Sequence, residues 1–457
     1  MKISLIGNKI QTVLILLFCF SVSFGQKIQN RATEKPNVIL IIADDLGWND
    51  VGYHGSEIKT PNIDNLAKNG VELNRFYANP TCSPTRASLL TGRPSSRLGI
   101  VAPISDKDQT KLPDSIPTLP KLLKQNNYET ALVGKWHLGL QLSNGPKAYG
   151  FDYSYGFLHG QIDQYTHLYK NGDKSWYRNG EFIEEKGHAT DLITNEAIKW
   201  LSEKRDKKKN FFLEVAYSAP HFPLQEEQKW KAPYINSIKD PSRRDYAAAM
   251  SHLDNSIGIL LENLKQQKLD KNTVVIFMSD NGAMENWDSR NEYSGTIPGN
   301  TTLGDNTPLR DWKTSNYEGA VRVPCVVYWK EHLKNYKNSN YISVIDLLPS
   351  ILFLAGDNNL PKSIEGKNVW PTIADNKTIS DKEIYIRGHL QECLINKPWK
   401  IVRTRHSKEV STDYELYDIE KDPEEKHNVW SQNETISTQM KTALENQFKK
   451  DAEKVNK

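Results

Sequence analysis

Four stretches of the chain are apolar at nearly every position and then stop abruptly on polar residues. They are "PNVILIIADD" (36–45), "ETALVGKWH" (129–137), "NFFLEVAYSAPH" (210–221) and "NTVVIFMSDNG" (272–282). Continuous apolar runs without alternation suit strands buried on both faces of a parallel sheet. Between them the apolar positions recur at helical spacing in "TPNIDNLAKNG", "IPTLPKLLKQNN", "ATDLITNEAIKWLSEK" and "RRDYAAAMSHLDNSIGILLENLKQQ". Strands alternating with helices predict an α/β fold whose central sheet is mostly parallel and flanked by helices. From about residue 381 the pattern changes to the short strands "EIYIRGHL", "KPWKIVRT" and "YELYDIEKD", followed by an amphipathic helix. We therefore expect an α/β domain over 26–380 and a small antiparallel subdomain over 381–457.

Each of the four apolar runs ends in a polar cluster, and in open α/β sheets ligands bind outside the carboxyl ends of the strands. Asp44, Asp45, Lys135, His137, His221, Asp280 and Asn281 all fall on that edge.

Length changes the picture little: 457 residues exceed one ordinary core and fit a large domain with a smaller appendage. With 38% hydrophobic and 25% charged residues, the chain reads as globular. A net charge of +3 is too mild to suggest a nucleic-acid groove, and no nucleic-acid-binding motif is present. The run "EKRDKKKN" reads as a solvated loop. The opening "MKISLIGNKIQTVLILLFCFSVSFGQ" has a lysine-bearing start, a short apolar core and small residues up to Gly25. It reads as a signal peptide over 1–25, too short in its apolar part to span a bilayer. Export to the periplasm or beyond follows, with no membrane span in the mature protein.

Removal of that segment takes Cys19 with it and leaves Cys82, Cys325 and Cys393, an odd number without disulfide-framework spacing. Cys325, in "VRVPCVVYW", and Cys393 read as buried structural thiols. Cys82 heads "CSPTRASLLTGR". With Ser83 as the cap and Pro84 as the first helical residue, Cys82 stands at a helix N-terminus, where an anion is stabilised and Arg86 lies one turn away.

Asp44 and Asp45 can share one target only where the strand has ended, since neighbours in a strand point to opposite faces. Two carboxylates about 4 Å apart repel by roughly 4 kcal/mol at an effective dielectric near 20, so a cation or a shared proton is required. Adding Asp280 and Asn281 makes the donor set all oxygen, which suits calcium or magnesium rather than zinc. Either acidic motif alone is also ordinary turn chemistry. A thiolate nucleophile beside a hard cation fits poorly, so these residues leave open what Cys82 becomes.

"CSPTR" with the following "ASLLTGR" resembles the C-x-P-x-R sequence of the formylglycine-dependent type I sulfatases. The similarity continues through "DDLGWNDVGYHG", "GKWHLG", "APHFP", "SDNGA", "PLRDWKTSNYEGAVRVP" and the closing "YELYDIEKDPEEKHNV". "GWNDVGYHGS" is most similar to the arylsulfatase B (N-acetylgalactosamine-4-sulfatase) branch.

The resemblance implies an alkaline-phosphatase-like fold and hydrolysis of sulfate monoesters on sulfated carbohydrate. It implies that a formylglycine-generating enzyme oxidises Cys82 to an aldehyde (3-oxoalanine), whose hydrate attacks sulfur. Calcium would be held by Asp44, Asp45, Asp280, Asn281 and the modified Cys82, with Asp280 also a base for the attack. His221 and Lys313 would serve the leaving oxygen and His137 would deprotonate the hydrate, while Lys135 and Arg86 would hold the aldehyde and the sulfate charge. Trp312 departs from the small residue that precedes the lysine in many relatives. Gln161, Asp163 and His167, in "FLHGQIDQYTH", would be candidate sugar contacts. A phosphoester or phosphonate hydrolase, or a noncatalytic carbohydrate-binding protein, would share this fold.

Overall fold

The computed structural model describes residues 35–106, 110–289, 292–379, 382–406 and 412–453; the expected signal segment lies outside them. Asn37–Ala43 (β1) is buried at all seven positions, as its unbroken apolar run requires. In chain order there follow Val71–Leu73 (β2), Phe76–Tyr77 (β3), Tyr128–Lys135 (β4), Tyr153–Phe157 (β5), Trp176–Arg178 (β6) and Glu181–Phe182 (β7). Asn210–Ala216 (β8), Thr273–Ser279 (β9), Cys325–Trp329 (β10), Tyr336–Asn338 (β11) and Ile342–Ser343 (β12) complete the first group. Ten of these form one sheet in the order β11-β2-β10-β9-β1-β8-β4-β5-β6-β7, and β3 pairs separately with β12. β9, β1, β8, β4 and β5 run parallel, whereas β10, β6 and β7 are antiparallel to their neighbours.

The register levels the strand ends. Ala43 lies opposite Ser279, and Ala216 lies opposite both Ile42 and Gly134. Four polar clusters far apart in sequence are thereby brought side by side on one edge.

Alternation along β1 divides the core. Ile39, Ile41 and Ala43 pack with Pro61–Asn69 (α1), Ala189–Lys199 and Pro241–Gln266. Val38, Leu40 and Ile42 face Cys82–Thr91 (α2) and Leu119–Gln125 (α3). We label Ala189–Lys199 α4, Pro241–Gln266 α5 and Leu347–Leu354, which packs beside α2, α6. Each fully buried aliphatic side chain contributes about 1.5–3 kcal/mol, so the sheet is a stiff platform for what stands at its edge.

Helix α2 is buried at all ten positions despite its polar sequence. Its hydroxyls are satisfied internally: Thr85 Oγ1 accepts from Asn79 N–H, Ser88 Oγ accepts from the Asn79 amide, and Thr91 Oγ1 donates to Ala87 O. Gly92 ends it with φ 63°, a left-handed conformation that glycine adopts without strain.

At the carboxyl end of the chain, Ile384–Arg387 (β13), Gln391–Asn396 (β14), Trp399–Arg405 (β15) and Thr412–Asp418 (β16) form an antiparallel sheet in sequential order. One face packs on Tyr317, Ala320 and Val321, and the other on Met440 and Leu444 of Glu434–Phe448 (α7). Cys325 and Cys393 are buried free thiols. Among the described residues no helix is long and apolar enough to cross a membrane.

Candidate active site

Beyond β1 the chain turns at Asp45, whose φ of 64° places it in the left-handed region that aspartate tolerates. This turn lets two consecutive carboxylates join one cluster. Backbone bonds tie it to its neighbours: Asp44 N–H donates to Ala219 O (3.1 Å) and Asp280 N–H to Ala43 O (3.1 Å). Asp45 N–H donates to Asp280 Oδ1 at 3.3 Å and Leu46 N–H to Ser279 Oγ at 3.0 Å.

Three cations face three carboxylates. Lys135 Nζ lies 2.5 Å from Asp44 Oδ2, Lys313 Nζ 2.7 and 2.8 Å from the two oxygens of Asp45, and Arg86 Nη2 2.7 Å from Asp280 Oδ2. Arg86 Nη1 also donates to Lys135 O at 3.1 Å, and Asn281 Nδ2 to Asp45 Oδ1 at 2.7 Å. Lys313 arrives on a loop whose backbone is fastened to the segment that follows β9: Lys313 N–H donates to Ala283 O (2.9 Å), and Asn306 bridges Ala283 and Asp311.

Two oxygens in this buried cluster, Asp44 Oδ1 and Asn281 Oδ1, have no hydrogen-bond partner. A buried polar atom left unpaired costs about 1–3 kcal/mol, so the pair marks a place for a ligand. Both are hard oxygen donors, and with Asp45 and Asp280 they suit a hard divalent cation. Burial and the neighbouring Asp280 push the Asp44 carboxyl well above the usual range, outweighing Lys135. Burial acts the same way on Asp45, but Lys313, His221 and Lys135 hold it down at about 2.

Cys82 opens α2, with Thr81 in the extended conformation before it. The expectation that Ser83 caps the helix and Pro84 begins it is thus corrected: the helix starts at Cys82. Ser83 is instead a brace, its Oγ donating to His137 O (2.8 Å) and accepting from Ile104 N–H (3.0 Å). Cys82 Sγ lies 3.2 Å from His137 Nδ1, and His137 Nε2 lies 2.9 Å from Ile104 O. A carbonyl only accepts, so Nε2 carries the proton and Nδ1 presents its lone pair to residue 82. Burial, then Lys135, Arg86 and Lys313, hold the His137 imidazole well below its ordinary range, so it is neutral at neutral pH.

His221 follows the same logic. Its Nδ1 donates to Phe222 O (2.7 Å), leaving Nε2 bare 3.5 Å from Asp45 Oδ2. Burial and the cations Lys313 and Lys135 push it well below its ordinary range, against Asp45. Lys313, by contrast, is held above its ordinary range: burial is the largest single influence and acts downward, but Asp45, Cys82 and Asp44 together outweigh it.

All the residues expected at the strand ends, with Cys82, Arg86 and Lys313, therefore meet in one cluster. The three expected sugar contacts lie in the neighbouring 158–167 loop, each hydrogen-bonded within the protein. Gln161 Nε2 donates to Glu292, Asp163 accepts from Tyr165 N–H, Thr166 N–H and Gln225, and His167 Nε2 bonds Gly187 O. Two contributors carried no sequence signal. Ile104 acts through its carbonyl, and Gly160 matters because a Cβ there would fall 2.5 Å from His137 Cε1.

A family model described as sulfatase matches residues 36–357, and one described as N-sulphoglucosamine sulphohydrolase, C-terminal, matches residues 311–454. The chain belongs to the sulfatase family. This sulfatase is 35% identical over 361 residues to arylsulfatase J of Mus musculus, a match covering 75% of the chain and 56% of that relative. It is 31% identical over 380 residues to N-acetylgalactosamine-6-sulfatase of Homo sapiens, with 78% and 69% covered. Among solved structures, Ps i-CgsB superposes with a TM-score of 0.83 at 33% identity, covering 92% of this chain and 94% of that one. PsFucS1 sulfatase from Pseudoalteromonas sp. superposes with a TM-score of 0.77 at 25% identity, covering 94% and 93%. The sheet and its flanking helices are thus the alkaline-phosphatase-like fold of the sulfatases.

Proposed function

We propose that this sulfatase hydrolyses sulfate monoesters on a sulfated carbohydrate, with Cys82 converted to formylglycine and a calcium ion at the cluster. The observation that carries the reading is the placement of Cys82 Sγ 3.2 Å from the bare Nδ1 of His137, inside a ring of three carboxylates and three cations. Formylglycine at position 82 would supply, as its hydrate, the attacking hydroxyl, and calcium on Asp44, Asp45, Asp280 and Asn281 would polarise the sulfuryl oxygens.

The protein's own groups do the rest. His137, neutral and oriented by Ile104 O, accepts a proton from the group at position 82. Arg86 and Lys135 hold negative charge beside that group. Lys313 keeps its protons and offers N–H donors to the leaving oxygen, whereas His221, neutral with Nε2 bare, has no proton at that nitrogen to give, so its expected role as a proton donor is not supported. Fixed donors where charge develops lower the barrier, each by roughly a hundredfold or more. With all three carboxylates ionised, as a bound divalent ion would hold them, the ring and the ion together would carry excess positive charge and favour an anionic ester.

The substrate class is supported by relatives: Ps i-CgsB has also been solved in complex with k-i-k-neocarrahexaose, and another relative is named N-acetylgalactosamine-6-sulfatase. We infer a lineage near the arylsulfatase B branch from "GWNDVGYHGS", and export from the first 25 residues. Maturation would require a formylglycine-generating enzyme.

The test is expression with such an enzyme, the mass of the peptide bearing residue 82, and sulfate release from a panel of sulfated oligosaccharides. The thiol-to-aldehyde mass loss, activity in the matured protein and silence in Cys82→Ala are expected. An intact thiol in active protein, or strong preference for the matching phosphate esters, overturns the reading.

A further inference from the structure

Away from the catalytic cluster, three segments bring a second set of metal-ligating side chains together. His188 caps α4, Glu226 lies in the loop that carries His221, and His252 lies in the middle of α5; they are 4%, 8% and 2% exposed. One ligand atom from each lies within 4.8 Å of the other two. His252 Nδ1 is 2.8 Å from Glu226 Oε2, and His188 Nε2 is 3.5 Å from Glu226 Oε1. Trp230 stacks on the His252 ring at 4.6 Å and Tyr165 meets His188 edge-on at 5.2 Å.

Two details set this cluster apart from an ordinary buried ion pair. His188 Nε2 has no hydrogen-bond partner although the residue is almost fully buried. His252 Nε2 lies 3.0 Å from Asp191 Oδ1, so a half-exposed carboxylate holds that proton from behind and turns Nδ1 toward Glu226. A carboxylate behind an imidazole is the usual outer partner of a metal-bound histidine. Two imidazole nitrogens and one carboxylate oxygen select a borderline transition ion over calcium.

We propose that His188, Glu226 and His252 form a second metal site, for zinc or an ion of similar chemistry. Binding displaces the proton on His252 Nδ1 and moves the His188 proton from Nε2 to Nδ1, which ends the 3.2 Å hydrogen bond from Thr190 N–H to His188 Nδ1. The ion would tie α4 and α5 to the loop carrying His221, from a position five residues along that loop.

The test uses the tag-free protein with calcium present throughout and measures bound zinc by elemental analysis, together with the visible spectrum of the cobalt(II) form. A Cys82→Ala, His137→Ala, His221→Ala background removes the thiol and both imidazoles of the catalytic cluster. One zinc per chain is expected in that background, with a tetrahedral cobalt spectrum. Affinity should fall at least a hundredfold in His188→Gln or Glu226→Gln, and by about tenfold to a hundredfold in Asp191→Asn. Within that background, equal zinc binding with and without His188→Gln, or no stoichiometric zinc at all, overturns the proposal. Should a variant fold poorly, 15N-histidine spectra of the unmutated chain decide. Zinc must shift the His188 and His252 signals and weaken protection of the Thr190 amide; unmoved signals overturn the proposal equally.

Discussion

At the scale of single residues, the site works by neighbours fixing one another's protons. His137 has one usable lone pair because Ile104 O takes the other nitrogen's proton, and its ring is seated against Gly160, which has no side chain to displace it. Gly160→Ala should therefore lower kcat by tenfold or more with little change in melting temperature, since the added methyl meets the His137 ring at 2.5 Å; steady-state kinetics beside a thermal melt checks this. A second prediction concerns Glu214 in β8, 2% exposed, with Oε2 lacking a partner. Burial raises its carboxyl to about 7, only partly opposed by Arg86. The folded state then holds a proton that the unfolded chain has released. Stability should fall as pH rises from about 4.5 to 7 and level off above, by on the order of 3 kcal/mol in total. Denaturant titrations across that range should show the fall, and Glu214→Gln should remove it and be the more stable form above pH 7. Sequence made Asp44, Asp45, Asp280 and Asn281 legible because each ends an apolar run. It was silent on Ile104, which acts through its backbone, and on Glu214, which merely interrupts one.

At the scale of elements, the Lys313 loop is held by the carboxyl-terminal sheet. Arg310 donates to Tyr417 Oη (2.7 Å), Asn316 N–H to Gln391 Oε1 (2.8 Å) and Glu318 N–H to Glu425 Oε2 (2.6 Å). Lys400 of β15 sits between Glu318 Oε1 at 3.0 Å and Glu425 Oε1 at 2.8 Å, all three buried. Lys400→Met removes the cation between two buried carboxylates and leaves Glu318 to the more distant Arg322, 3.6 Å from its Oε2, so stability should drop by about 3–5 kcal/mol. Turnover should fall with it as the Lys313 loop loosens, which melting curves and kcat measured on the same preparation test together. Three of the four short strands after residue 381 are legible in the sequence, whereas β14 between the first two of them is not, and neither is the partner of the sheet. Glu318 and Lys400 are 82 residues apart, and no local pattern records a contact across that distance.

At the scale of the whole molecule, the parallel strands level their ends so that segments from residue 44 to residue 313 meet, an arrangement the strand and helix order announced in outline. The antiparallel direction of β10, which lies inside the sheet between β2 and β9, and of β6 and β7 near its far edge was not visible, since a short run carries no signal of the direction in which it pairs. A calcium ion bound only by the assembled site stabilises the fold by mass action, about 2.7 kcal/mol at a hundred times its dissociation constant. Removing it with a calcium chelator should lower the melting temperature, and added calcium should restore it; a melt indifferent to both would remove calcium from the site. The burial of α2 carries one more consequence, for the order of events in the life of the chain. Cys82 is 2% exposed and every residue of its helix is enclosed, so no enzyme can grip this segment once the sheet has closed over it. Whatever alters residue 82 must meet a chain still open, and the fold acts as a clock: a molecule that closes early keeps its thiol for as long as it stays folded.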